Sequence, residues 1–137
     1  MPGIDACLQE AMALPGARGA AVVDWTSGLA LGALGEASGG DHEVTAAETA
    51  DMARAAVEYT VFAPPAPRAL GDLPTPTAPP AVEDLLVTTA TAYHLMHFAD
   101  AAFDTHAFVY LWLDRDTGNL ALARMRLRDL ARGLVLE

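Results

Sequence analysis

Apolar residues recur at helical spacing at the start of the chain, at Ile4, Cys7, Leu8, Ala11 and Met12. Pro15-Gly16 ends the run, because proline cannot continue a helix and glycine suits its C-terminal cap. The spacing predicts a short amphipathic helix over Ile4 to Leu14, with Cys7 on its apolar side. Two apolar runs follow, Gly19 to Trp25 and Leu29 to Leu34, around the polar turn Thr26-Ser27-Gly28. They read as a β-hairpin. The first run is almost continuously apolar, which suits a strand covered on both faces.

The second helix is expected to open at Thr45. Thr45-Ala46-Ala47-Glu48 has capping-box spacing, in which hydroxyl and carboxylate satisfy each other's backbone groups. It is expected to run to about Phe62, before Pro64-Pro65. Its pattern carries two apolar stripes. One is Ala46, Ala50, Ala53, Val57 and Val61; the other is Met52, Ala56 and Tyr59. The polar strip between them (Glu48, Asp51, Arg54, Glu58) is narrow. A helix on one core needs one apolar face, so the second face asks for a partner.

Three strands are then predicted, over Val82 to Ala90, Ala92 to Phe98 and Ala107 to Asp114. All carry large or β-branched side chains at both parities, again the mark of a sheet covered twice. A last helix follows Asn119, with Leu120, Ala123, Leu127, Leu130 and Leu134 on one stripe. Asp114 and Asp116 are placed near its start and the arginines toward its end, as the helix dipole favours. Between the second helix and the third strand, residues 63–81 hold seven of the nine prolines and read as an extended loop insertion.

Composition changes this picture in three ways. The chain has 137 residues, a single-domain length that buries a substantial core. Its net charge is −10, with no lysine beside eight arginines, the usage expected of a GC-rich coding sequence. No nucleic-acid or membrane-surface partner is expected of so acidic a chain. From Arg115 onward, however, five arginines face three acids, giving +2 against −12 for the rest. That contrast reads chiefly as a solvated face. Its functional counterpart is a basic docking strip of Arg124, Arg128 and Arg132. The N-terminus has neither a basic region nor a long apolar run, so no signal peptide is expected. The uncharged stretch Leu85 to Ala99 is too short for a bilayer. One free cysteine fits a reducing, cytoplasmic setting.

Candidate chemistry is sparse. His94 and His97 are three apart, and odd offsets on a strand point to opposite faces, so they cannot chelate together. Asp114 to Gly118 starts like a calcium loop, yet Met125 stands where the closing glutamate belongs. There is no phosphate-gripping loop, no lysine for Schiff-base chemistry and no nucleophile elbow. No catalytic residue, metal site or cofactor is therefore assigned.

The element order is helix, strand, strand, helix, strand, strand, strand, helix. It gives an α+β fold: a five-stranded antiparallel sheet covered by helices on both faces. Three stretches in this order resemble the roadblock / dynein light chain family. They are Leu14-Pro15-Gly16-Ala17-Arg18-Gly19-Ala20-Ala21-Val22-Val23-Asp24, then Glu83-Asp84-Leu85-Leu86-Val87-Thr88-Thr89 with Tyr93 to Met96, then Val109 to Arg115 with Asn119 to Arg124. The match spans nearly the whole chain except the proline-rich loop. The resemblance implies a non-enzymatic homodimer, in which central helices pack together and sheets join at the third strand. It also implies action on, or scaffolding of, small Ras-like GTPases, as in the bacterial branch. Met52, Ala56, Tyr59, Leu85 and Val87 are the expected dimer surface. The proline-rich loop enters just before the pairing edge, and the chain is expected to carry no appended partner-binding tail. An alternative reading is a small-ligand sensor of profilin-like or PAS-like architecture, with Tyr93, His97, Tyr110 and Trp112 lining its pocket.

Overall fold

The computed structural model describes residues 3–62, 82–99 and 106–134. Its elements are α1 (Ile4–Met12), β1 (Ala17–Asp24), β2 (Leu29–Gly35), α2 (His42–Glu58), a single 3₁₀ turn (Thr60–Phe62), β3 (Asp84–Thr88), β4 (Ala92–Phe98), β5 (Ala107–Asp114) and α3 (Leu120–Arg132). The strands form one sheet in the order β2-β1-β5-β4-β3, and every neighbouring pair is antiparallel. This is the predicted α+β architecture, with β3 at one edge. The proline-rich insertion at 63–81 lies outside the described residues.

Alternation along the strands divides the apolar residues between two cores. Val109, Leu111 and Leu113 of β5 turn toward α1 and α3, joined by Val22 of β1 and Leu95 of β4. Phe108 and Tyr110 turn the other way, toward Val23, Met96, Phe98 and the alanines of α2. Large residues at both parities therefore have a simple cause: neither face of the central strands is wet. Cys7 is fully buried in the first core, and burial, with the nearby Glu10 carboxylate, pushes its thiol up to about 11. It packs as a small apolar side chain.

α2 begins three residues earlier than its sequence suggested. The Asp41 carboxylate accepts from Val44 N at 2.7 Å and caps the helix. Thr45 is inside it: its hydroxyl donates to Asp41 O and accepts from Gly39 N, so it cannot form the expected capping box. The helix also ends early, at Glu58, where Tyr59 turns to an extended conformation. Val61 therefore leaves the first stripe and is 79% exposed. What α2 buries is Thr45, Ala46, Ala50, Ala53 and Ala56. Small side chains let the helix lie close on the sheet, over β1 and β2.

α3 is capped by Asn119, whose side chain accepts from Leu122 N at 3.0 Å. Asp114 instead closes its own turn, accepting from Asp116 N and Thr117 N. No acid lies in the first turn of α3, so the expected dipole pairing at that end is absent. The helix buries Ala123, Leu127 and Ala131 against the sheet.

The two ends of the core meet where the chain leaves α1. Gly16 has φ +81°, and a Cβ there would stand 2.5 Å from Gly118 Cα. Its carbonyl accepts from Asp114 N at 2.8 Å. Gly16→Ala adds a left-handed penalty of roughly 1–2 kcal/mol to that clash. We predict a loss of at least about 2 kcal/mol in urea unfolding. A midpoint unchanged from wild type contradicts this reading of the crossing.

Candidate functional site

α2 packs on β2 and β1, so the β4 and β3 side of the same sheet face is left less covered. A groove of about 260 Å³ opens there. One wall is α2, with Thr45, Glu48, Thr49 and Met52; the floor is Val87, His94, Met96 and Tyr110. Ser38 and Gly39, from the loop before α2, close one end.

The expected dimer residues fall into distinct places. Met52 is 44% exposed and shares the groove with Val87 of the edge strand. Leu85 is half-buried on the same side of β3. Tyr59 is 59% exposed at the end of α2, beside the exposed Phe62 ring. Ala56 is buried within the protomer and contributes no surface. Met52 and Val87 thus share the groove, Leu85 lies on the same face of β3 as Val87, and Tyr59 is exposed at the end of α2.

Beneath this surface lies a polar network that the sequence reading missed. Tyr110 Oη is 2.7 Å from Ser38 Oγ and 2.7 Å from His94 Nδ1. The His94 ring lies nearly parallel to both the Tyr110 and the Trp112 rings. A register shift in β1 between Ala17 and Gly19 frees Arg18, whose guanidinium sits 4.0 Å over the Trp112 ring and pairs with Glu36. Burial holds the His94 imidazole below its usual range, so it is neutral at neutral pH. Burial also raises the Tyr110 phenol, against the Ser38 hydrogen bond, which lowers it. Parity carried the available signal: His94, Tyr110 and Trp112 share a face once β4 and β5 pair with Met96 opposite Tyr110.

The same alternation dismantles the ligand-sensor pocket. Tyr93 packs against the α1 and α3 core, and His97 lies on that side too, beside Asp84, Arg124 and Arg128. Tyr110 and Trp112 are on the α2 side. The sheet separates the two pairs, so the four cannot line one cavity. His94 and His97 also point to opposite faces, as their spacing required.

The arginines of α3 are less free than the sequence suggested. Arg124 donates to Asp84 Oδ2 at 2.9 Å and ties α3 to β3. Arg128 lies 3.9 Å from Asp129, while Arg132 is exposed. Of the expected strip, Arg124 therefore pairs with Asp84 while its side chain stays 50% exposed.

No family profile matches the sequence, and no curated protein matches it. Solved structures do match. Myxococcus xanthus MglB superposes with a TM-score of 0.69 at 16% identity, covering 93% of this chain and 81% of that one. A roadblock/LC7 domain from Streptomyces avermitilis gives 0.67 at 12% identity, with 95% and 92% covered. The chain has the roadblock fold. A structure of MglB described as having a tetrameric arrangement also matches, with a TM-score of 0.67 at 17% identity over 94% of this chain and 82% of that one. The roadblock fold expected from the sequence motifs is thus present across nearly all the described residues. Among the described residues, no helix is long and apolar enough to cross a membrane.

Tyr110 is 3% exposed, and its hydroxyl joins two otherwise separate elements. We predict that Tyr110→Phe lowers stability by about 0.5–1.5 kcal/mol, because the exposed Ser38 and half-buried His94 exchange their bonds to Tyr110 for bonds to water. Thermal unfolding of the two proteins checks it; equal midpoints refute the network's structural role.

Proposed function

We propose that this chain is a non-enzymatic homodimeric module that regulates or scaffolds a small Ras-like GTPase, in the cytoplasm. One observation carries the dimer: among the described residues, Met52 and Tyr59 of α2 and its end, with Leu85 and Val87 of β3, form an exposed or half-buried apolar strip, and β3 has no strand neighbour on its outer side. Burying that strip against a second copy offsets the cost of exposing it, at roughly 25 cal/mol per Å² of apolar surface. β3 is the edge at which roadblock sheets are expected to join, and an unpaired edge supplies free backbone donors and acceptors. The tetrameric arrangement of a structure with this fold is consistent with self-assembly here. The GTPase assignment draws on the roadblock resemblance of the sequence and on the fold shared with the two MglB structures. The module acts through contact, and no residue is assigned to catalysis.

Light scattering at micromolar concentration is expected to give a mass near twice 14.3 kDa. Tyr59→Glu, which buries a charge in the interface, is expected to return it to the single-chain mass. A wild-type monomer, or a dimer indifferent to Tyr59→Glu, refutes this interface. For the partner, affinity capture from the native cell is expected to recover a Ras-like GTPase. Recovery of none, with a different protein saturating the module, overturns the assignment.

A further inference from the structure

We propose that the groove between α2 and the β3–β4 edge is a proton-sensitive latch, in which charging of His94 expels a second copy of this chain docked over it. The proposal rests on the homodimer reading above and adds a control to that same surface.

The argument starts from geometry. His94 forms part of the groove floor, between Val87 of the edge strand and Met52 of α2. Its ring centroid is 6.3 Å from Trp112 at an interplanar angle of 9°, and 6.0 Å from Tyr110 at 20°. Its Nδ1 is committed to the Tyr110 hydroxyl, itself bonded to Ser38. The ring is thus fixed in place and cannot swing out to follow solvent when it gains a charge.

The surroundings favour a neutral ring. β3 brings Leu85 and Val87 to this side and no charge. β5 brings Tyr110 and Trp112. β1 brings Arg18 over the far side of Trp112, where it opposes a second positive charge, although Glu36 partly neutralises it. α2 brings Glu48 to the groove wall, and that carboxylate alone favours a charged ring; it is exposed and screened by water. In the open protomer a charged His94 keeps some solvation through the groove mouth. A second copy removes that water, so the docked state favours the neutral ring still more. The free protomer then binds protons more tightly than the docked one. By linkage, falling pH drives the copies apart. Burial already holds the imidazole of the isolated chain low, in the same direction.

The other three histidines are elsewhere. His97 lies behind the sheet with Asp84 and Arg128, His42 opens α2 near Gly35 O, and His106 packs on Trp25. His97 is therefore an internal control.

Sedimentation equilibrium of the full chain at about pH 7.5 and about pH 5.5 tests the latch, with circular dichroism confirming the fold at both. The dimer dissociation constant is expected to rise on acidification, by up to about tenfold for each of the two His94 rings per unit by which docking lowers its pKa. His94→Gln is expected to dimerise with little dependence on pH, while His97→Gln keeps the wild-type response. Should His94→Gln fail to fold, His94→Phe preserves the aromatic stack and is expected to behave alike. A wild-type dimer equally tight at both pH values overturns the latch and leaves the dimer standing, as does a His94 variant that keeps the full response. Absence of a dimer at both pH values overturns the homodimer reading and the latch with it.

Discussion

Side chains alternate across a strand, and in this molecule both faces of the central strands are apolar. β1 and β5 each carry five buried positions in a row. Such a sheet has two faces to cover, and among the described residues three α-helices do so. α1 and α3 share one face. The other is left to α2, which lies over β1 and β2. The groove, the exposed apolar strip and the polar network all follow from that unequal cover.

The chemistry of α2 explains why the shortfall is concentrated on one side. Its buried face is alanine and one threonine, so it approaches the sheet closely but reaches little sideways. Longer residues at those positions would lift the helix and spread its cover. The strip beyond its reach is completed by aromatic side chains from the sheet itself. Tyr110, His94 and Trp112 stack flat, and the Tyr110 hydroxyl ties the loop before α2 to the sheet. A surface that joins apolar contact to a pinned polar group suits recognition better than a uniformly greasy patch, because a partner must match both.

Much of the fold was legible in the sequence. Strand positions followed from runs that were apolar at both parities, and the Pro15-Gly16 stop fell close to the true helix end. The α2 boundaries were misread because two chemically plausible caps compete within five residues. Asp41 captures Val44 N, and Thr45 is then drawn inside by its bonds to Asp41 O and Gly39 N. Propensity patterns do not resolve such a competition; the loop's path does. Of the candidate surface, Met52, Tyr59 and Val87 were visible as surplus apolar residues. Ala56 was not separable from them, because alanine spacing alone does not reveal on which side of a helix the sheet lies. The Ser38–Tyr110–His94 network joins three segments far apart in sequence, and no local pattern announces it. The ligand-pocket reading failed on register: it combined residues that the pairing of β4 with β5 sends to opposite faces.

The crossing of Gly16 against Gly118 also bears on how the chain is made. β1 finds its main partner, β5, only after α2, β3 and β4 have intervened in the sequence, with Ala17 opposite Leu113. On the ribosome, the first hairpin emerges with both faces of β1 apolar and no second neighbour. It must wait until β5 has been synthesised before its inner edge is covered. Pairing so distant in sequence slows folding and prolongs the exposure of an unpaired, sticky strand. The arrangement that gives the mature sheet its doubly covered centre therefore makes closure of the β1–β5 pair a late step in folding.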